Sequence, residues 1–453
     1  MNRQHDAFGL TLATASPEAA AAWDRTVFAF LAHGAATPEH LAATLDADPG
    51  FGLAHLAKGF FLLLLGRREL VETAREARAT AAAIHARGDA CARERDYALA
   101  LDAYLAGDLA LSADRLDVAL AARPADALAL KLVHAIRFVL GDSPGMLRSI
   151  EGVIDAYGPD HAAHAYVKGC HAFALEEAGD YRGAEARGRD AVLRAADDAW
   201  GVHAVAHVFD MQGRAREGVA WLRGQPETWA HCNNFRYHVW WHLALFHLDR
   251  GETAEVLRLY DEEVRAEHTD DYRDISNAAS LLARLEIEGV DVGTRWEEMA
   301  AICEGRTDDG CVVFADLHYM LALGAGDRDA EARRLLRRMQ ADARAKDTTM
   351  EAVTARAGLP AAEGLLSFAH GDYHAAFGAL ASARPAMQSV GGSHAQRDVF
   401  ERLTVEAALR AGRLEDARDL LEDRARRRGA LDGYAERRLA RIGALGDERA
   451  AAL

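Results

Sequence analysis

"LEEAGDYRGAEA" (residues 175–186) sets the reading of this chain: an alanine- and leucine-rich segment runs into a glycine, an aspartate follows, and a second amphipathic segment begins at once. Glycine tolerates the left-handed backbone that ends a helix, and the polar residue after it restarts the chain in the opposite direction. "SFAHGDYHAAFGAL" (367–380) and "LRAGRLEDARDLL" (409–421) carry the same unit. The mark recurs at Gly66, Gly107, Gly141, Gly179, Gly213, Gly251, Gly289, Gly326, Gly371 and Gly412, at intervals of 34 to 45 residues, which is the regime of two-helix repeats. After the turn, Ala184, Ala375 and Ala417 supply small side chains where the second helix must approach the first closely. One pair cannot cover its own apolar stripe, so it buries that stripe against the next pair.

The expected fold is therefore all-α: a right-handed superhelix of about ten antiparallel helix pairs, an α-solenoid, running as one array over 1–453. Within it, 1–100 reads as divergent N-terminal pairs, 101–430 as the main repeat body, and 431–453 as a C-terminal capping helix.

Composition agrees with helices. Half of the 453 residues are hydrophobic while only 9 are proline. The 70 acidic and 53 basic side chains leave a formal charge of −17, which repels phosphate backbones and anionic membrane surfaces, so neither nucleic acid nor membrane is an expected partner. The basic run "RARRRGALDGYAERRLAR" (424–441) is interleaved with apolar residues at helical spacing and reads as a solvated helix face. Cys91, Cys170, Cys232, Cys303 and Cys311 show no CxxC spacing, and no signal peptide is visible, so a cytoplasmic location is expected. The most apolar run, "GFFLLLLG" (59–66), is far shorter than the roughly 20 residues of a membrane span.

The turn patterns resemble the tetratricopeptide repeat. At finer grain, "HAVAHVFDMQGR" (203–214), "FRYHVWWHLALFHLDRG" (235–251), "NAASLLARLEIEGVDVGTRW" (277–296), "FADLHYMLAL" (314–323) and "GGSHAQRDVF" (391–400) together resemble the tetratricopeptide repeat protein 38 family over almost the whole length. The resemblance implies an all-helical repeat protein and brings no catalytic residues with it.

In a tetratricopeptide-like pair the first helix lines the concave surface, and the turn glycine serves as a ruler. His203, Trp241 and Asp316 each stand ten residues before their glycine, and His207 six, offsets that point into the groove. His238 also falls on the inner face, whereas His242 comes out nearer the packing interface. His203 over His207 and His238 over His242 are one helical turn apart. These residues, with His318 farther along, form the candidate ligand-binding patch. Asn277 and Asp274 extend the polar strip, or bond to repeat backbone. Trp240 and Trp241 are expected to split, one buried and one facing the groove.

"SVGGSHAQRDVF" (389–400) adds His394 and Arg397 at a helix start, where exposed amides and a cation suit an anion; the plainer reading has Ser393 capping the helix while Arg397 and Asp398 bind adjacent repeats. If the superhelix curls enough, this loop reaches the histidine patch across the concavity.

No metal or cofactor is expected, since "HAVAH" lacks the glutamate of a zincin and no carboxylate stands at a familiar ligand spacing. The alternative is a divalent transition metal held by His203, His207, His238 and His242, because neutral imidazole is a common metal ligand. A further possibility is that the histidines complete a core. Phosphate-binding and nucleophile-elbow motifs are absent. Two functions compete: a scaffold binding a peptide, protein or small molecule in its groove, and an enzyme using an enclosed pocket for acid–base or metal-assisted chemistry. Self-association through the last helix pair would give a homodimer.

Overall fold

The computed structural model describes residues 4–451, and helices carry most of them. Among the described residues there is no strand, only isolated bridges between His5 and Thr11 and between Gly34 and Cys232. Consecutive helices pack against each other in pairs, as in an α-solenoid.

The turn grammar works as the sequence indicates. At Gly179 (φ 90°) the Asp180 amide donates to the Leu175 carbonyl at 2.9 Å, closing the first helix, and the Asp180 carboxylate accepts from the Gly183 amide at 2.9 Å, capping the second. Asp108, Asp142 and Asp372 cap the helices that follow their own glycines in the same way. Gly326 departs from this pattern. Its φ is −93°, and Asp327 takes the left-handed conformation instead, at φ 55°. A Cβ on Gly326 would meet that of Ala300 at 2.4 Å, so glycine is needed there for helix approach, and aspartate is one of the few residues that tolerates the turn.

The chain divides into two compact units. The first comprises 1–205, 226–236 and 347–350; the second comprises 206–225, 237–346 and 351–453.

In the first unit, Pro17–Leu31 pairs with Thr37–Ala47, Gly52–Leu64 with Leu70–Ile84, Ala92–Leu105 with Leu109–Ala122, and His164–Glu177 with Tyr181–Arg194. Residues 1–100, the poorest match to the turn pattern, thus still build helix pairs. The segment before the first helix is held by a buried ion network: Arg93 reaches Asp6 at 2.8 Å and Asp126 at 2.7 Å, and the Tyr97 hydroxyl donates to Asp126 at 2.9 Å.

The second unit is organised around the helix Tyr272–Ile287, which packs on Val313–Ala325 and on His394–Arg410. Thirteen of its residues are buried, including Asn277, Ser280 and Arg284. The C-terminal helices Leu414–Arg428 and Gly433–Ala451 return to the ends of helices much earlier in the chain. The Gly433 amide donates to Asp249 Oδ1 at 2.7 Å, Arg428 donates to Asp210, and Arg438 donates to the Ile287 carbonyl at 2.5 Å. Guanidinium groups at helix C-termini satisfy carbonyls that have no intrahelical partner.

This return corrects the reading of 424–441 as a solvated face. Arg424, Arg428 and Arg438 are buried. Arg424 bridges Asp398 and Asp432 at 2.6 Å each, Arg402 shares Asp398 at 2.6 Å, and Arg438 pairs with Glu406 at 2.5 Å. The Tyr434 ring lies among them, 4.3 Å from the Arg402 guanidinium. Burial alone would raise the Asp398 pKa, but Arg424 and Arg402 outweigh it and hold the carboxyl well below the usual range. Among the described residues no helix is long and apolar enough to cross a membrane.

Candidate functional site

The helices carrying His238 (Phe235–Asp249) and Asn277 (Tyr272–Ile287) meet in a register that joins residues 39 apart. His238 Nδ1 lies 2.9 Å from Asn277 Oδ1, and Trp241 Nε1 donates to Ser280 Oγ at 3.1 Å. Ser280 in turn donates to the Asn277 carbonyl at 3.1 Å. An amide oxygen only accepts, so His238 Nδ1 carries the proton and its Nε2 presents a lone pair. One turn later, His242 Nε2 approaches that lone pair to 3.2 Å.

His207 comes from the helix Ala199–Met211, and its ring centroid is 4.5 Å from that of His242. One ring nitrogen from each of His207, His238 and His242 lies within 4.8 Å of the others. Burial pushes all three pKa values down, that of His238 to about 4, with the mutual proximity of the rings adding to the effect for His207 and His242. All three are neutral at pH 7.

Beside them lies Arg284, 1% exposed. Its guanidinium donates to the carbonyls of Ser280 (3.1 Å) and Ala395 (2.7 Å) and stands over the Trp241 ring at 5.4 Å. Its Nε makes no hydrogen bond, and among the described residues no carboxylate reaches ion-pair distance. Burial first, and then the charge of Arg402, pull its pKa down to about 9, so at pH 7 it is a buried cation.

The donor Asn277 Nδ2 and the acceptor His318 Nε2 are among the other buried polar atoms of this unit that lack a hydrogen-bond partner. His318 donates from Nδ1 to the Phe314 carbonyl at 2.7 Å and packs on Phe400 with centroids 5.0 Å apart; burial lowers its pKa to about 3.

The loop at 391–393 follows the plainer of its two readings at Ser393 and Asp398, but Arg397 bonds within its own segment, where an adjacent repeat was expected. Ser393 caps the helix His394–Arg410, with its hydroxyl accepting from the Gln396 amide at 3.3 Å. Arg397 turns back onto the carbonyls of Gly391 and Gly392, and Asp398 binds the arginines described above. Yet this segment does reach the histidines. His394 and Arg397 both contribute to lowering the His207 pKa, and the Ala395 carbonyl takes a bond from Arg284 across 111 residues of sequence.

Asp316 belongs elsewhere. Its carboxylate pairs with Arg338 of the following helix at 2.5 Å, a packing role that the groove-facing offset did not anticipate. His203 belongs to the first unit, where it stacks on Phe173 (5.4 Å), tilts against Trp200 (4.8 Å) and meets the edge of Phe235 (5.1 Å). Lys131 stands over the same Trp200 ring at 4.7 Å.

The expected open surface is also corrected. His203, His207, His238, Trp241, His242, Asp316, His318 and Arg397 are all buried, and only His394 is half-buried. Trp240 is half-buried while Trp241, expected in the groove, is fully enclosed.

Arg284 and Ser280 escaped the sequence reading. A signal existed: within "AASLLARLEI" (278–287) Arg284 is a cation flanked on both sides by leucine and alanine. No protein-family model matches the chain.

Proposed function

We propose that this tetratricopeptide-like helical protein, of the kind its resemblance to the tetratricopeptide repeat protein 38 family implies, binds a small anionic molecule in the interior of its second unit. Arg284 takes the anionic group. The observation that carries this reading is a guanidinium 1% exposed with no carboxylate partner among the described residues. A buried charge left without a counter-ion costs several kcal/mol, and an anionic ligand removes that cost through charge-assisted hydrogen bonds.

The surrounding atoms suit the rest of such a molecule. Asn277 Nδ2 offers a donor and His318 Nε2 an acceptor. Enclosure of these groups favours a small molecule over a peptide laid along an open groove. The five free cysteines fit a reducing compartment, in line with the cytoplasmic location expected from the sequence.

The test is calorimetric titration of the full chain with acetate, succinate, malate and inorganic phosphate. At least one should bind saturably, and Arg284→Gln should weaken it about 100-fold, since losing a charge-assisted pair in a dry site costs on the order of 3 kcal/mol. Absence of binding by every anion, or equal affinity in the folded variant, overturns the proposal.

A further inference from the structure

We infer that His207, His238 and His242 form a binding site for a divalent transition-metal ion. Three features of the geometry support this. The first is convergence: one nitrogen from each ring lies within 4.8 Å of the others, and His238 Nε2 and His242 Nε2 are 3.2 Å apart. Zinc–imidazole bonds of about 2.0–2.1 Å place neighbouring nitrogens of a tetrahedral site about 3.3 Å from each other. The spacing between His238 and His242 is already that of a ligand edge.

The second is orientation. Metal-binding histidines commonly give their other ring N–H to an oxygen acceptor, which fixes the tautomer and the ring plane. Asn277 Oδ1 does this for His238 Nδ1 at 2.9 Å and turns Nε2 toward the other two rings. The His242 proton that now points at His238 Nε2 moves to the other nitrogen of its own ring when the ion arrives, so no net proton has to leave that ring.

The third is support. His238 and His242 are one turn apart on a single helix, and His207 comes from another, so two buried helices fix the three donors before any ion binds. An all-nitrogen donor set selects zinc, cobalt, nickel, copper or iron over magnesium and calcium, which prefer oxygen. Three imidazoles leave at least one coordination position open.

This inference stands apart from the anion reading, because Arg284 supplies no donor to the ion. If both sites are filled, the anion held by Arg284 balances the charge of the metal and can occupy the open position.

The experiment uses tag-free full chain, stripped with chelator and titrated with Co²⁺ and then Zn²⁺ alone. The expected result is one Co²⁺ per chain with the intense visible absorption of a low-symmetry nitrogen site, displaced by Zn²⁺. His207→Gln, His238→Gln and His242→Gln should each weaken binding at least 100-fold, and Asn277→Ala 10- to 100-fold. His370→Gln, at an exposed histidine paired with Asp329, should leave it unchanged. Should a histidine variant fail to fold, the wild-type protein still decides: paramagnetic Co²⁺ must shift the imidazole NMR signals of residues 207, 238 and 242. Absence of a stoichiometric Co²⁺ spectrum, or paramagnetic shifts confined to other histidines, overturns the site whether or not the anions bind.

Discussion

The second unit contains two buried basic clusters, and they differ in one respect. Around Asp398 and Asp432, the guanidinium groups of Arg402 and Arg424 are matched by carboxylates at 2.6 Å. Around Trp241, Arg284 is equally buried but meets only carbonyl oxygens and neutral rings. The first cluster sets its guanidinium groups directly against carboxylates and ties the last two helices to the unit. The second has a charge with no carboxylate in contact among the described residues, Asp398 and Asp210 acting on it only from beyond ion-pair distance. A folded chain retains such a defect at a cost, and its place beside three converging imidazoles supports assigning function there.

Mutation should separate the two clusters by sign. Asp398→Ala strands Arg402 and Arg424 together and should cost about 3–5 kcal/mol in urea unfolding. Arg284→Met should act in the opposite direction in ligand-free protein, adding about 1 kcal/mol or more, because it removes an unanswered charge and keeps the apolar volume. A loss of stability in Arg284→Met as large as that of Asp398→Ala would erase the distinction.

Acid sharpens the contrast. His238 titrates near 4 when folded and near 6.5 when unfolded, so the unfolded chain takes up its proton first as the pH falls. The contribution of these histidines to stability should be level above pH 6.5 and decline from there toward pH 4, by at most about 1.4 kcal/mol per pH unit for each such histidine. Substituting His238→Gln should flatten this slope in denaturant titrations at successive pH values, whereas Arg402→Lys should not. The smallest effect belongs to Trp241→Phe, which loses the bond to Ser280 and should cost about 1 kcal/mol.

How much of this was legible in the sequence follows from the range of the interactions. The turns were legible because their causes are local: a left-handed glycine and an aspartate cap three residues from its target amide. The neighbourhood of His207, His238 and His242 was legible because helical spacing and the glycine ruler place them on facing helices. Their enclosure was not. It depends on the helix Tyr272–Ile287 meeting His238 and Trp241 across 39 positions and on the segment at 394–397 joining that helix across 111. Distance along the chain also hides the partners of Arg424 and Arg438, which on pattern alone look like solvent-facing cations. Asp316 was misread because its partner, Arg338, lies on the other helix of its own pair, which the groove-facing offset does not consider. Arg284 was missed because an arginine on an amphipathic helix is ordinarily exposed, and only packing shows that this one is not.

The most direct test of the central claim is the melting temperature of wild type and Arg284→Met, measured on the full chain across increasing concentrations of acetate, succinate, malate and phosphate. If Arg284 is held for an anion, at least one of these raises the wild-type midpoint along a saturating curve and leaves the variant's midpoint in place. Equal shifts in both proteins, or a wild-type midpoint that no anion moves, would contradict it.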